Sequence, residues 1–156
     1  MTLNIGDKAP SFKLKDSDLQ DVQLSDFKNQ NVVLLFFPLA FSGPCTEELC
    51  MMRDDSSKYN DLNAQVLAIS VDSPFSLAKF KEENKLNFPV LSDFNKEVSR
   101  AYGAHYEDFV LGLKGVAKRA AFVINKDGNV KYAEVLENAK IFPNFEQVQQ
   151  TLSHLQ

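Results

Sequence analysis

The chain has 156 residues, 44% hydrophobic and 24% charged, with six Gly and six Pro. That is the size of one domain spanning 1–156 around one core, and it excludes collagen-like and disordered chains. Seventeen Lys plus Arg against 21 Asp plus Glu give a net charge of −4, and no basic block could neutralise a run of phosphates, so nucleic acid is not an expected partner.

Two cysteines cannot build a disulfide framework, so any cysteine chemistry is functional. The segment Met1–Asp7 lacks the basic and apolar regions of a secretory signal. The longest apolar run, Val32 to Phe37, is too short to span a bilayer. A soluble, cytoplasmic protein without membrane contact is expected.

Ser11–Leu14 and Val22–Leu24 alternate weakly across polar residues and predict an N-terminal hairpin. Asn31–Phe37 is continuously apolar, with β-branched and aromatic residues, and reads as a central strand covered on both faces. After Pro38 a loop leads into a helix from about Cys45 to Asn63, with Cys45, Leu49, Met52, Tyr59 and Leu62 on one face. Gln65–Val71 is a second buried strand, so the three make a βαβ unit with parallel strands.

Ser73 as N-cap and Pro74 at the first position open a helix that carries Leu77 and Phe80 inward to about Leu86. Phe88–Leu91 is a short strand, placed near an edge because Pro89 cannot donate to a ladder. Asn95–Tyr102 is a brief helix ended by Gly103. Ala120–Ile124 and Val130–Glu134 flank the hairpin turn Asn125–Asn129. A last helix from about Asn144 buries Phe145, Val148, Leu152 and Leu155. This order predicts an α/β protein of the thioredoxin-like fold, a mixed central β-sheet flanked by helices on both faces.

Cys45 falls where a buried parallel strand gives way to a helix, at the carboxyl end of the sheet, where α/β proteins place their sites. Unpaired backbone N–H groups and the helix dipole there favour an anion, which for cysteine is the reactive thiolate. A lone cysteine on an inward face is more often an inert core residue. The surrounding pattern argues otherwise: Pro38-x-x-x-Ser42-x-x-Cys45-x-x-Glu48, with Arg119 just ahead of the Ala-Ala-Phe-Val-Ile strand.

This pattern resembles the peroxiredoxin signature, Pro-x-x-x-Thr/Ser-x-x-Cys plus a remote Arg. Phe36-Phe37-Pro38-Leu39-Ala40-Phe41-Ser42-Gly43 is most similar to the alkyl hydroperoxide reductase E-type members. The likeness runs from Gly6-Asp7-Lys8-Ala9-Pro10-x-Phe12 through Leu91-Ser92-Asp93-Phe94 and Ala101-Tyr102-Gly103 to Arg119 and Asp127-Gly128. It implies a thiol-dependent peroxidase acting on hydrogen peroxide or organic hydroperoxides through a Cys45 sulfenic acid.

Within that resemblance each residue has a physical task. Arg119, always cationic, stabilises the thiolate and polarises the peroxide. Ser42, where Thr is usual, offers a hydroxyl to thiolate or peroxide and can also cap the helix. Pro38 shields the sulfur from water and has no N–H to compete. Glu48, one turn after Cys45, holds the Arg119 guanidinium. Arg53 is a second cation that either serves the site or sits on a solvated helix face.

Cys50 stands five residues after Cys45, a spacing similar to the peroxiredoxin Q or bacterioferritin-comigratory type, whose resolving cysteine lies in the same helix. The alternative is a one-cysteine member resolved by an external thiol. Positions five apart on a helix have Cα atoms about 8.6 Å apart, beyond the roughly 7 Å limit of a disulfide. A Cys45–Cys50 bond therefore requires the helix to unwind.

The two histidines, His105 and His154, lack ligand spacing, and no phosphate loop or dinucleotide fingerprint is present. No metal or other cofactor is expected, so electrons come from a thioredoxin-like or glutaredoxin-like reductant. Leu39, Ala40 and Phe41 either line a dimer interface or pack on their own chain, so a monomer or a homodimer is expected. Two rival readings are a thioredoxin-like thiol-disulfide oxidoreductase, which lacks its Cys-x-x-Cys here, and a peroxide-sensing redox binding protein.

Overall fold

The structure, a computed structural model, describes residues 3–156, so Met1 and Thr2 of the N-terminal segment lie outside it. A hairpin of β1 (Lys13–Asp16) and β2 (Asp21–Gln23) stands where the sequence predicts one. β3 (Asn31–Phe36), α1 (Gly43–Asp54), α2 (Ser56–Asp61) and β4 (Ala64–Ser70) follow, with β3 and β4 parallel. Next come α3 (Pro74–Asn84), β5 (Val90–Ser92) and α4 (Glu97–Ala101). The short pair β6 (His105–Tyr106) and β7 (Val116–Ala117) precedes the hairpin of β8 (Arg119–Ile124) and β9 (Val130–Leu136), and α5 (Phe145–His154) closes the order.

Seven strands form one mixed sheet in the order β2-β1-β5-β4-β3-β8-β9. Because side chains alternate along a strand, β3 feeds both faces: Val33, Leu35 and Phe37 enter one core, and Val32, Leu34 and Phe36 the other. The first core is covered by α1, α2, α3 and α5 through Leu49, Met52, Tyr59, Leu77, Phe80, Val148 and Leu152. On the other side lie α4 and the segment after it, through Val98, Tyr102 and Ala104. This is the thioredoxin-like arrangement that the element order predicts. Among the described residues no helix is long and apolar enough to cross a membrane.

Three local readings are corrected. The helix predicted over 45–63 breaks at Asp55 (φ −94°, ψ 9°) into α1 and α2, where Asp54-Asp55-Ser56-Ser57 concentrates residues that favour caps over helix interiors. β5 is not near an edge but lies between β1 and β4. Pro89 precedes the strand and needs only its carbonyl, which accepts from Ala68 N–H at 3.1 Å. The brief helix starts at Glu97 rather than Asn95, because the buried Asp93 carboxylate accepts from the N–H groups of Val98 (3.1 Å) and Ser99 (2.6 Å). The cap of α3 is as predicted, with Ser73 Oγ accepting from Ser76 N–H at 3.1 Å. The hairpin turn turns on Gly128 at φ +83°.

Candidate active site

β3 and β8 run antiparallel with Phe36 opposite Ala120. That register sets Arg119 beside the carboxyl end of β3, where the chain leaves through Pro38 toward Cys45. Residues 74 apart in sequence thereby meet: Arg119 Nη2 donates to Cys45 Sγ at 3.2 Å. On α1, Cys45, Glu48, Leu49 and Met52 share the buried face, so Glu48 lies one turn beyond the sulfur and accepts from Arg119 Nη1 at 2.6 Å. The third edge of the guanidinium donates from Nε to the Ala139 carbonyl at 2.7 Å, and its carbon lies 5.5 Å from the Phe142 ring centre. A buried cation with this many partners has one orientation.

Burial pushes the Glu48 carboxyl up to about 7 from an ordinary 4.5, with the charge and hydrogen bond of Arg119 opposing the rise. Its Oε2 has no hydrogen-bond partner among the described residues. For Arg119, burial acts to lower the pKa, but the adjacent Glu48 and Cys45 outweigh it and hold the guanidinium above its usual value. Since the folded chain binds the Glu48 proton more tightly than the unfolded chain does, this group's stabilisation is complete below about pH 4.5 and is lost as pH rises through about 7. Urea unfolding over that range should show a flatter pH dependence for Glu48→Gln than for the parent. An unchanged slope would place the titration on another group.

Pro38 is buried and Ser42 half-buried, and both line the cavity that opens over Cys45 and Arg119. Ser42 takes the N-cap position of α1, but its hydroxyl caps nothing: it donates to the Leu39 carbonyl at 3.0 Å. Its oxygen lone pairs remain available to accept from a molecule in the cavity. The loop before α1 is tied down where Ala40 N–H donates to Asp72 Oδ2 at 2.8 Å. Phe41 turns the chain at φ +71° and sets its ring edge-on to Phe80 at 5.2 Å, so Ala40 and Phe41 pack at least partly on their own chain.

The other two candidates lie elsewhere. Cys50 is half-buried and does not line the cavity. Arg53 reaches Cys50 Sγ at 3.6 Å and the Asn84 carbonyl at 2.6 Å, not Cys45. His105 is away from the cavity, its Nδ1 lying 3.4 Å from Ser99 Oγ.

Sequence reading missed the cavity walls. The cavity measures about 610 Å³ and is lined by Tyr106, Phe109, Val110, Leu111 and Leu113 together with residues 137–140. The Tyr106 hydroxyl donates to the Glu137 carbonyl, and Lys118 pairs with Glu137 Oε1 at 2.6 Å. The signal available was an apolar stretch, Phe109-Val110-Leu111-Gly112-Leu113, in a segment with no predicted element. A thiol held by a buried cation at the mouth of an apolar cavity can attack an electrophile there and hand negative charge to the guanidinium.

Fold and site together define a thioredoxin-like enzyme with a thiol held against a buried cation at a cavity. The AhpC/TSA family profile matches residues 5–133, and the chain belongs to that family, the peroxiredoxins, which are thiol-dependent peroxidases. It is 37% identical over 142 residues to alkyl hydroperoxide reductase E of Mycobacterium tuberculosis, covering 89% of this chain and 90% of that protein. It is 36% identical over 132 residues to peroxiredoxin Bcp of Escherichia coli, covering 83% and 84%. The crystal structure of peroxidoxin BcpB from Mycobacterium tuberculosis superposes with a TM-score of 0.87 at 29% identity, covering 99% of both chains.

Proposed function

We propose that Cys45 is the thiol that reduces the peroxide, with residues 1–156 working as one domain. Its sulfur attacks one peroxide oxygen, an S–O bond forms as the O–O bond breaks, and water or an alcohol leaves with the proton. Cys45 becomes a sulfenic acid. Arg119 stabilises the anionic sulfur and the charge developing on the leaving oxygen, Glu48 fixes Arg119, Ser42 positions the peroxide, and Pro38 limits water. The observation that carries this reading is the 3.2 Å contact from Arg119 Nη2 to Cys45 Sγ inside an open cavity. The apolar wall of Phe109, Val110, Leu111 and Leu113 supports organic hydroperoxides as substrates beside hydrogen peroxide.

Cys50 then attacks the sulfenic sulfur, an S–S bond forms, and water leaves. A thioredoxin-like or glutaredoxin-like dithiol restores both thiols at the cost of its own oxidation. The two cysteines are unpaired, which suits a cycle run in the cytoplasm, where thiols are kept reduced. One equivalent of peroxide followed by mass spectrometry tests the scheme. The parent should lose two hydrogens and yield a linked Cys45–Cys50 peptide, with helix loss near α1, and Cys50→Ser should gain one oxygen at Cys45. Oxidation of Cys50 with Cys45 untouched would overturn the assignment, and an external-thiol adduct on the parent would remove Cys50 from it.

A further inference from the structure

We infer that Arg53 is a positioning residue for the second step of the cycle: moored to the end of α3, it holds the Cys50 sulfur in place for attack on the Cys45 sulfenic acid. The inference rests on Cys50 being the resolving thiol.

Among the described residues, two groups are in hydrogen-bond contact with Cys50 Sγ. Arg53 Nη1 approaches it at 3.6 Å, and Asn84 Oδ1 accepts from it at 3.7 Å. Arg53 is itself pinned: the same Nη1 donates to the Asn84 backbone carbonyl at 2.6 Å, and Nε donates to Asp54 Oδ1 at 3.0 Å. Asn84 Nδ2 donates to the Phe80 carbonyl at 3.0 Å, which fixes the amide with its oxygen toward the sulfur. The sulfur therefore sits between a fixed amide oxygen and a pinned guanidinium. Asp54 is linked to it through Arg53, and α3 presents the Asn84 amide oxygen to it, while the Asn84 backbone carbonyl accepts from Arg53.

Attack by Cys50 on the sulfenic sulfur forms S–S, breaks S–O and releases hydroxide, which takes up the proton lost by Cys50. Arg53 acts on this step by fixing where the attacking sulfur stands. Arg53 is three residues beyond Cys50 and is moored to α3, so unwinding of the stretch between Cys45 and Cys50 leaves the cation and the sulfur as neighbours.

The reduced protein is mixed with one equivalent of hydrogen peroxide in stopped flow, and the two phases, sulfenic acid formation and disulfide formation, are followed from pH 5 to 9 for parent, Arg53→Gln, Arg53→Lys and Cys50→Ser. In Arg53→Gln the second phase should slow about tenfold, since a sulfur released from its mooring loses its orientation for attack. Arg53→Lys should recover much of the rate. The first phase is the internal control, because Arg53 touches nothing at Cys45. A second phase in Arg53→Gln that is unchanged or faster would show that the residue is only a latch between the helices. If Cys50→Ser resolves like the parent, the reading of Cys50 fails, and this inference falls with it. Loss in Cys50→Ser with no effect in Arg53→Gln would overturn the inference alone.

Discussion

Cys45→Ser is expected to reduce peroxide turnover to the uncatalysed background while leaving the fold intact. Serine differs by one atom at a site that is almost completely buried, so packing of α1 through its own Leu49 and Met52 should hold. What disappears is the nucleophile, because a serine hydroxyl is a far weaker nucleophile than a cysteine sulfur. Cys50 cannot take over, since it stands outside the cavity with its sulfur on Arg53 and Asn84. Peroxide consumption with a dithiol reductant measures the effect, and circular dichroism checks the fold. Appreciable turnover by this variant would remove the mechanism.

Much of this was legible because local patterns carried it. The all-apolar run of β3 announced a strand covered on both faces, and the Ser73-Pro74 pair announced the start of α3. Cys45, Glu48 and Leu49 could be placed on one buried face from helical spacing alone. Arg119 could be named as a partner only through a resemblance. Its contact with Cys45 depends on the β3/β8 register, a pairing between distant segments that periodicity does not encode.

Other features were illegible for a related reason. Asp93 caps α4 from a strand end, and Phe41 adopts a left-handed conformation that a bulky side chain ordinarily avoids. In both cases tertiary contacts override local preference. The position of Arg53 shows the reverse. The sequence offered two places for it, beside the site or on a solvated face, and the structure puts it at a third, on the second cysteine.

Arg119→Lys is expected to slow peroxide reduction by about 10²- to 10³-fold, the cost of removing a donor aimed at developing charge. The guanidinium serves Cys45, Glu48 and the Ala139 carbonyl from three different edges, at 3.2, 2.6 and 2.7 Å, while facing Phe142. A lysine ammonium is one point of charge on a flexible stem. Drawn to Glu48 it abandons the sulfur, and drawn to the sulfur it leaves a buried carboxylate unpaired. Arg119→Ala would confuse the result, because it also strips the buried Glu48 of its partner, and the carboxyl must then take up a proton or stay in the core as an uncompensated charge.

The double variant Arg119→Met with Glu48→Leu separates the two effects. Replacing a buried ion pair by apolar side chains of similar volume is often neutral or stabilising, so unfolding by urea should occur near the parental midpoint. Sulfenic acid formation at Cys45, followed by stopped flow, should still be slowed at least as much as in Arg119→Lys. Parental second-order rates in Arg119→Lys would show that the guanidinium is not engaged with the peroxide, and a fast double variant would show that the ion pair serves the fold rather than the thiol.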